Sequence, residues 1–251
     1  MGLFASPYTA PTADITPDTP RKKGVRRLLE VICRDYWRFF AAGWLALLAA
    51  LPPVVGVVFG IFAQNLAVVL IAGCLGGVLA APCFCGCMDT VLRSLRDEPN
   101  YWWHTWRRVV KENARRALAL GAGFGTLLAT QSFALTHPLL HGHSAVQGIV
   151  LAGLLVCTAL MLCCFAQLVL VRCSLGQMLK NAVLFTMGFA PQALLAAAIW
   201  LGGAWLVGAL GSAAVLPVLL GSFWLPMLLA CFALYGALEK AFHLFDLQEK
   251  P

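Results

Sequence analysis

Charge is absent from three long stretches of the chain, Phe39–Met88, Ala117–Val171 and Asn181–Leu238, which run for 50, 55 and 58 residues. Apolar side chains fall on every face of a helix drawn through them, without the polar outer face that a helix in water keeps. One bilayer crossing takes about 20 apolar residues as helix, so each stretch holds two crossings and returns to the side it left. The pattern predicts an all-α polytopic membrane bundle: six transmembrane helices as three hairpins. Local breakers place the returns at Gln64 and Asn65, at His137 to His143 with Pro138 and Gly142, and at Gly208 to Gly211. Helices are predicted at about Phe39–Ala63, Leu66–Met88, Ala117–Thr136, Ala145–Val171, Ala182–Leu206 and Ser212–Gly236.

The charged segments between these stretches carry a pattern of their own. Val25, Leu28, Leu29, Ile32, Tyr36, Phe39 and Phe40 recur at helical spacing, with Arg26, Arg27, Glu30, Arg34 and Arg38 on other faces. Trp102, Trp103, Trp106, Val109 and Val110 alternate with Arg107, Arg108, Lys111, Arg115 and Arg116. Both read as amphipathic interfacial helices, the second lying flat beneath the bilayer at headgroup level. The short link Arg172 to Lys180 and the tail from Glu239 to Gln248, with Phe242 and Phe245 beside charges, complete the set. Each hairpin is thus entered from an amphipathic segment. The transmembrane domain is expected over 25–248, after a Pro-, Thr- and Ala-rich tail over 1–24 that lacks the apolar core of a signal peptide and reads as disordered.

All 18 Lys and Arg residues lie between or beyond the charge-free stretches, and the turns inside them hold none. The positive-inside rule then makes both termini cytoplasmic. With 61% hydrophobic and 12% charged residues, the chain is far from the soluble average of about 25% charged. The net charge of +7 does not point to nucleic acid, because the cations sit beside membrane segments where anionic lipid headgroups are the nearer partner. The ten cysteines lie mostly in predicted helices, where reduced thiols serve as small apolar residues.

Two clusters raise the question of metal. Cys83 and Cys87, within Cys83-Phe84-Cys85-Gly86-Cys87, share a helix face, but Cys85 points away and no histidine lies nearby in sequence. Gly73, Gly76 and Gly77 in the same helix favour a packing role. His137 and His141, with His143, are one turn apart if their segment is helical, but Pro138 and Gly142 favour a solvated loop. No cofactor is expected. The predicted crossings contain no Asp, Glu, Lys, Arg or His, and Asp89 stands just at a helix end. An intramembrane charge costs at least about 2.5 kcal/mol and is retained mainly for function, so proton-coupled transport and intramembrane proteolysis lose ground. No nucleophile, base and orienting group can be assembled, and an enzyme is not expected. Gln131, Gln167 and Gln192 either bond between helices or line a path among helices interrupted by Pro52, Pro53, Pro82, Pro191, Pro217 and Pro226.

The run Val91-Leu92-Arg93-Ser94-Leu95-Arg96-Asp97-Glu98-Pro99, then Trp102-Trp103-His104-Thr105-Trp106-Arg107-Arg108 with Lys111, Asn113, Arg115 and Arg116, resembles the YesL-like family of bacterial membrane proteins. The resemblance takes in Tyr36 to Phe40, the Leu51-Pro52-Pro53 break and Leu175 to Leu184, and so covers most of the chain from about Gly24. The long Pro-rich tail and the Cys83 to Cys87 cluster depart from the family pattern. The family, of unknown function, implies about six helices, a bacterial cytoplasmic membrane, and genes often near those for carbohydrate uptake by ABC transporters. It brings no catalytic residues.

Arg96, Asp97 and Glu98 are expected to pair with Arg107, Arg108 or Arg115 as a structural latch. Trp102, Trp103 and Trp106 join them in a partner-contact face. The expected function is that of a non-enzymatic accessory or regulatory partner of a membrane complex such as a carbohydrate ABC permease. The alternative is a small autonomous transporter or channel.

Overall fold

Apolar runs this long leave the backbone no partner but itself, and helices result. A computed structural model describes residues 24–98, 101–138, 143–171, 173–211 and 223–242. The described residues form seven helices and no strand: α1 (Val25–Phe62), α2 (Leu66–Leu95), α3 (Trp102–Thr136), α4 (Ser144–Leu170), α5 (Leu175–Gly188), α6 (Ala190–Leu210) and α7 (Trp224–Phe242). All but α5 are long and apolar enough to cross a membrane, which gives six candidate spans. The chain divides into two units, Met1–Arg34 and Asp35–Pro251. The described part of the first is the opening of α1, where Arg27 and Glu30 face each other at 3.5 Å.

The return at Gln64 and Asn65 follows from local chemistry. Gln64 takes a positive φ of 49°, and Asn65 Oδ1 accepts from the amides of Ala67 and Val68 at 3.0 and 3.3 Å, capping α2. The predicted amphipathic segments are not separate helices: Val25 to Arg38 continues into α1, and Trp102 to Arg116 is the first half of α3. The predicted fifth crossing, Ala182–Leu206, is divided at Phe189 into α5 and α6. Pro191 lies in the first turn of α6, where a missing N–H goes unnoticed. Ser174 and Gln177 start α5 with a capping box, so the expected short link is itself helical. Pro52, Pro53 and Pro82 stay inside their helices. The tail over 1–23, Pro99, His141, Arg172, the start of the last predicted crossing with Pro217, and Phe245 lie outside the described residues.

The most extensive pairing is α2 with α3, across two of the predicted hairpins. A Cβ on Gly77 would strike the carbonyl of Gly121, and one on Gly125 the carbonyl of Gly73, so only glycine permits the approach. Ala81 and Ala129 flank this seam.

Burial is uneven along the helices. Cys85, Cys87, Met88 and Val91 of α2 are fully enclosed, as are Leu162 and Cys163 of α4, Met178 of α5, Ala196 of α6 and Met227 of α7. Phe84 stands at the edge of this core, edge-on to Phe165, Trp200 and Phe223 at 4.7, 5.5 and 5.8 Å. Val55, Phe59, Phe62, Ile71, Leu75 and Leu79, on α1 and the opening of α2, stay exposed. For a helix in lipid such exposure is the solvated state.

Candidate functional site

The last turns of α2 carry the deepest charge. Asp89 is 1% exposed, and Arg93 Nε donates to both of its carboxylate oxygens at 3.0 and 2.9 Å. These residues are one turn apart, the spacing at which helical side chains meet. Arg93 also donates to Glu98 Oε2 at 2.7 Å, and Arg96 faces Glu98 Oε1 at 3.1 Å. Glu98 can reach back because Asp97 takes a left-handed φ of 62°. The amide of Asp97 then donates to Ser94 O at 3.4 Å, and that of Glu98 to Arg93 O at 3.1 Å. This is the Schellman end of a helix, with Asp where Gly is usual.

The opening of α3 is fastened to this turn by indoles. Trp102 Nε1 donates to Thr90 Oγ1 at 3.3 Å, and Thr90 in turn donates to Gly86 O at 2.8 Å. Trp106 lies on Gly86, its Nε1 buried without a hydrogen-bond partner among the described residues. Trp103 stacks on Trp106 at 5.6 Å and 4°, and the Arg107 guanidinium sits 5.7 Å from the Trp103 ring centre. A cavity of ≈ 700 Å³ opens here, with Pro82 of α2 facing Trp103, Trp106, Arg107, Arg108 and Lys111 of α3.

The expected latch is therefore drawn differently. Glu98 pairs with Arg93 and Arg96 on α2, not with Arg107, Arg108 or Arg115, which have no acidic partner among the described residues. Asp97 shapes the backbone of the turn. Arg93 and Asp89, central to the cluster, were not predicted site residues, although their i, i+4 spacing was legible as a helical ion pair.

The other candidates lie apart. Cys87 is fully buried and Cys83 half-buried, and among the described residues no three His, Cys, Asp or Glu side chains could hold a metal. All ten cysteines are free, and Cys231 Sγ approaches Met88 Sδ at 3.1 Å. His137 ends α3 edge-on to Phe133 at 5.3 Å.

A second cavity, ≈ 410 Å³, lies among α1, α2, α3, α4 and α6, with Pro53, Gly76, Gly77, Phe124, Phe165 and Trp200 in its wall. Among the described residues, Ser132 is the one hydroxyl in its wall, already donating to Leu128 O at 2.8 Å. Gln131, Gln167 and Gln192 do not line it. Gln131 Nε2 donates to Cys157 Sγ at 3.5 Å, and Gln167 is 1% exposed with neither amide atom bonded among the described residues.

No protein-family model matches the chain, and no curated protein and no solved structure matches it either.

Proposed function

We propose that this chain is a non-enzymatic accessory or regulatory partner of a larger membrane complex, held in a bacterial cytoplasmic membrane with both termini inside. The observation that carries the reading is the division of charge at the junction of α2 and α3. The acidic Asp89 and Glu98 are engaged by Arg93 and Arg96 at the end of α2. Arg107, Arg108 and Arg115 remain exposed and without acidic partners among the described residues, beside exposed Tyr101 and Trp103. A rigid turn next to unneutralised cations and aromatic rings is the composition of a contact face, since Trp, Tyr and Arg dominate binding hot spots.

The six spans are read as three hairpins whose charged, amphipathic entries lie on the cytoplasmic side, as the distribution of Lys and Arg requires. The resemblance to the YesL-like family supports a carbohydrate ABC permease as the complex. Purification of the tagged protein from its native membrane in mild detergent, followed by mass spectrometry, tests this. A permease or sensor recovered in stoichiometric amount, and lost from an Arg107→Glu/Arg115→Glu variant, supports the reading. Recovery of the chain alone overturns it.

The ≈ 410 Å³ cavity favours a second reading, a small autonomous transporter. With one hydroxyl and no charge in its wall among the described residues, it suits an apolar solute and gives a sugar or an ion too few polar partners. Flux into liposomes containing only this protein separates the two functions.

A further inference from the structure

The groove between Pro82 and the opening of α3 is built of two kinds of chain. Pro82 belongs to the charge-free stretch that ends at Met88, whereas Trp103 to Lys111 belong to the charged segment before Ala117. The cavity thus straddles the change from apolar to charged sequence, the depth at which a lipid headgroup meets its acyl chains. Its wall has matching halves. Pro82 and the Trp103 and Trp106 rings, parallel within 4°, are apolar; Arg107, Arg108 and Lys111 bring three positive charges.

Among the described residues no carboxylate neutralises these charges. Glu112, the acid on the same stretch of α3, is exposed and pairs with none of them, and the carboxylates of Asp89 and Glu98 are held by Arg93 and Arg96. Arg107 is steadied over the Trp103 ring, which keeps its guanidinium at the groove. Three cations without an acidic partner among the described residues, around ≈ 700 Å³ of space, suit an anion, and the apolar floor suits one that carries hydrocarbon.

We propose that this groove is a binding site for an anionic phospholipid, its phosphate held by Arg107, Arg108 and Lys111 and its glycerol and first methylenes laid on Pro82, Trp103 and Trp106. Basic pockets beside membrane helices take phosphate headgroups in this way. The site lies within the face proposed above for protein contact but stands on the cavity alone. Lipid retention can hold where co-purification fails, and the reverse.

The test is native mass spectrometry of the full chain after exchange in detergent with micelles carrying phosphatidylglycerol or phosphatidylcholine of identical acyl chains. Phosphatidylglycerol should be retained in preference to phosphatidylcholine. Arg107→Gln/Arg108→Gln/Lys111→Gln should weaken its retention about a hundredfold, from roughly fivefold per interfacial cation. The charge-matched Arg26→Gln/Lys180→Gln/Lys240→Gln should leave retention unchanged. Arg107→Lys/Arg108→Lys/Lys111→Arg should keep most of it, which separates loss of charge from loss of fold. Equal retention of the two lipids, or no loss in the neutral triple variant, overturns the proposal. So does complete displacement of the lipid by excess glycerol 3-phosphate, because the site would then read the soluble phosphate and not the amphiphile.

Discussion

Trp106 of α3 lies so close on Gly86 of α2 that a Cβ at position 86 would stand 2.7 Å from its Cδ1. The ring has little room to retreat, because Trp103 stacks on it at 5.6 Å. Overpacking of this kind takes roughly 1–3 kcal/mol. Gly86→Ala should therefore lower the melting temperature of the detergent-solubilised protein. Gly86→Ala combined with Trp106→Leu should recover part of the loss. Heating followed by size-exclusion chromatography reads both, and an unchanged melting temperature in Gly86→Ala would mean that the contact has slack.

The pair Asp89 and Arg93 yields a different kind of prediction. A carboxylate at 1% exposure accepts two hydrogen bonds from one guanidinium. Removing one member of a buried pair leaves the other without its partner, at about 3 kcal/mol or more. Arg93→Gln should be strongly destabilising, and it also releases Glu98. Asp89→Leu/Arg93→Met, which removes both charges and fills similar volume, should lie much nearer the wild type. The comparison is made on melting temperatures of the single and double variants. If the double variant is as unstable as Arg93→Gln, the pair matters for more than mutual neutralisation.

Asp97 separates a carboxylate role from a backbone role. Its φ of 62° is strained for a residue with a Cβ, by about 1–2 kcal/mol, and Asp is among the few that tolerate it. Asp97→Gly should melt above Asp97→Ala, which loses the same carboxylate but keeps a Cβ at the strained φ, and Asp97→Val should melt lower still and draw Glu98 away from Arg93 and Arg96. Equal melting temperatures of the Gly and Ala variants would show that the backbone strain is not what Asp97 governs.

What the sequence made legible and what it hid follow from the same chemistry. Charge-free stretches announce spans because lipid penalises charge, and Gln64-Asn65 announces a return because amide side chains cap helices. Helix pairing is another matter. Residues such as Leu75 and Ile149 are apolar and exposed, so hydrophobicity does not mark the packed face of a lipid-bathed helix. Gly73, Gly77, Gly121 and Gly125 were visible as small residues, but nothing in their order says that the first two meet the last two. The break at Phe189 was masked by an unbroken apolar run through Pro191, where proline starts a helix. At the candidate site Trp102, Trp103, Trp106, Arg107 and Arg108 stood out by composition, whereas Pro82 and Thr90 entered only through the pairing of α2 with α3.

The sidedness of the membrane insertion rests on one accessible thiol. Cys33 is exposed, while Cys85, Cys87, Cys163, Cys164 and Cys231 are buried. A membrane-impermeant maleimide should therefore reach Cys33 readily and leave the buried five unreacted while the fold is intact. Cys33 lies among Arg26, Arg27, Arg34 and Arg38, a density of cations that the proposed orientation puts in the cytoplasm. In a variant retaining only this cysteine, intact spheroplasts should show no labelling, and inverted vesicles or detergent-opened membranes should show full labelling. Labelling of intact spheroplasts would put the opening of α1 outside. The basic and aromatic start of α3, separated from it by two crossings, would then also face outward, where a cytoplasmic partner could not reach it.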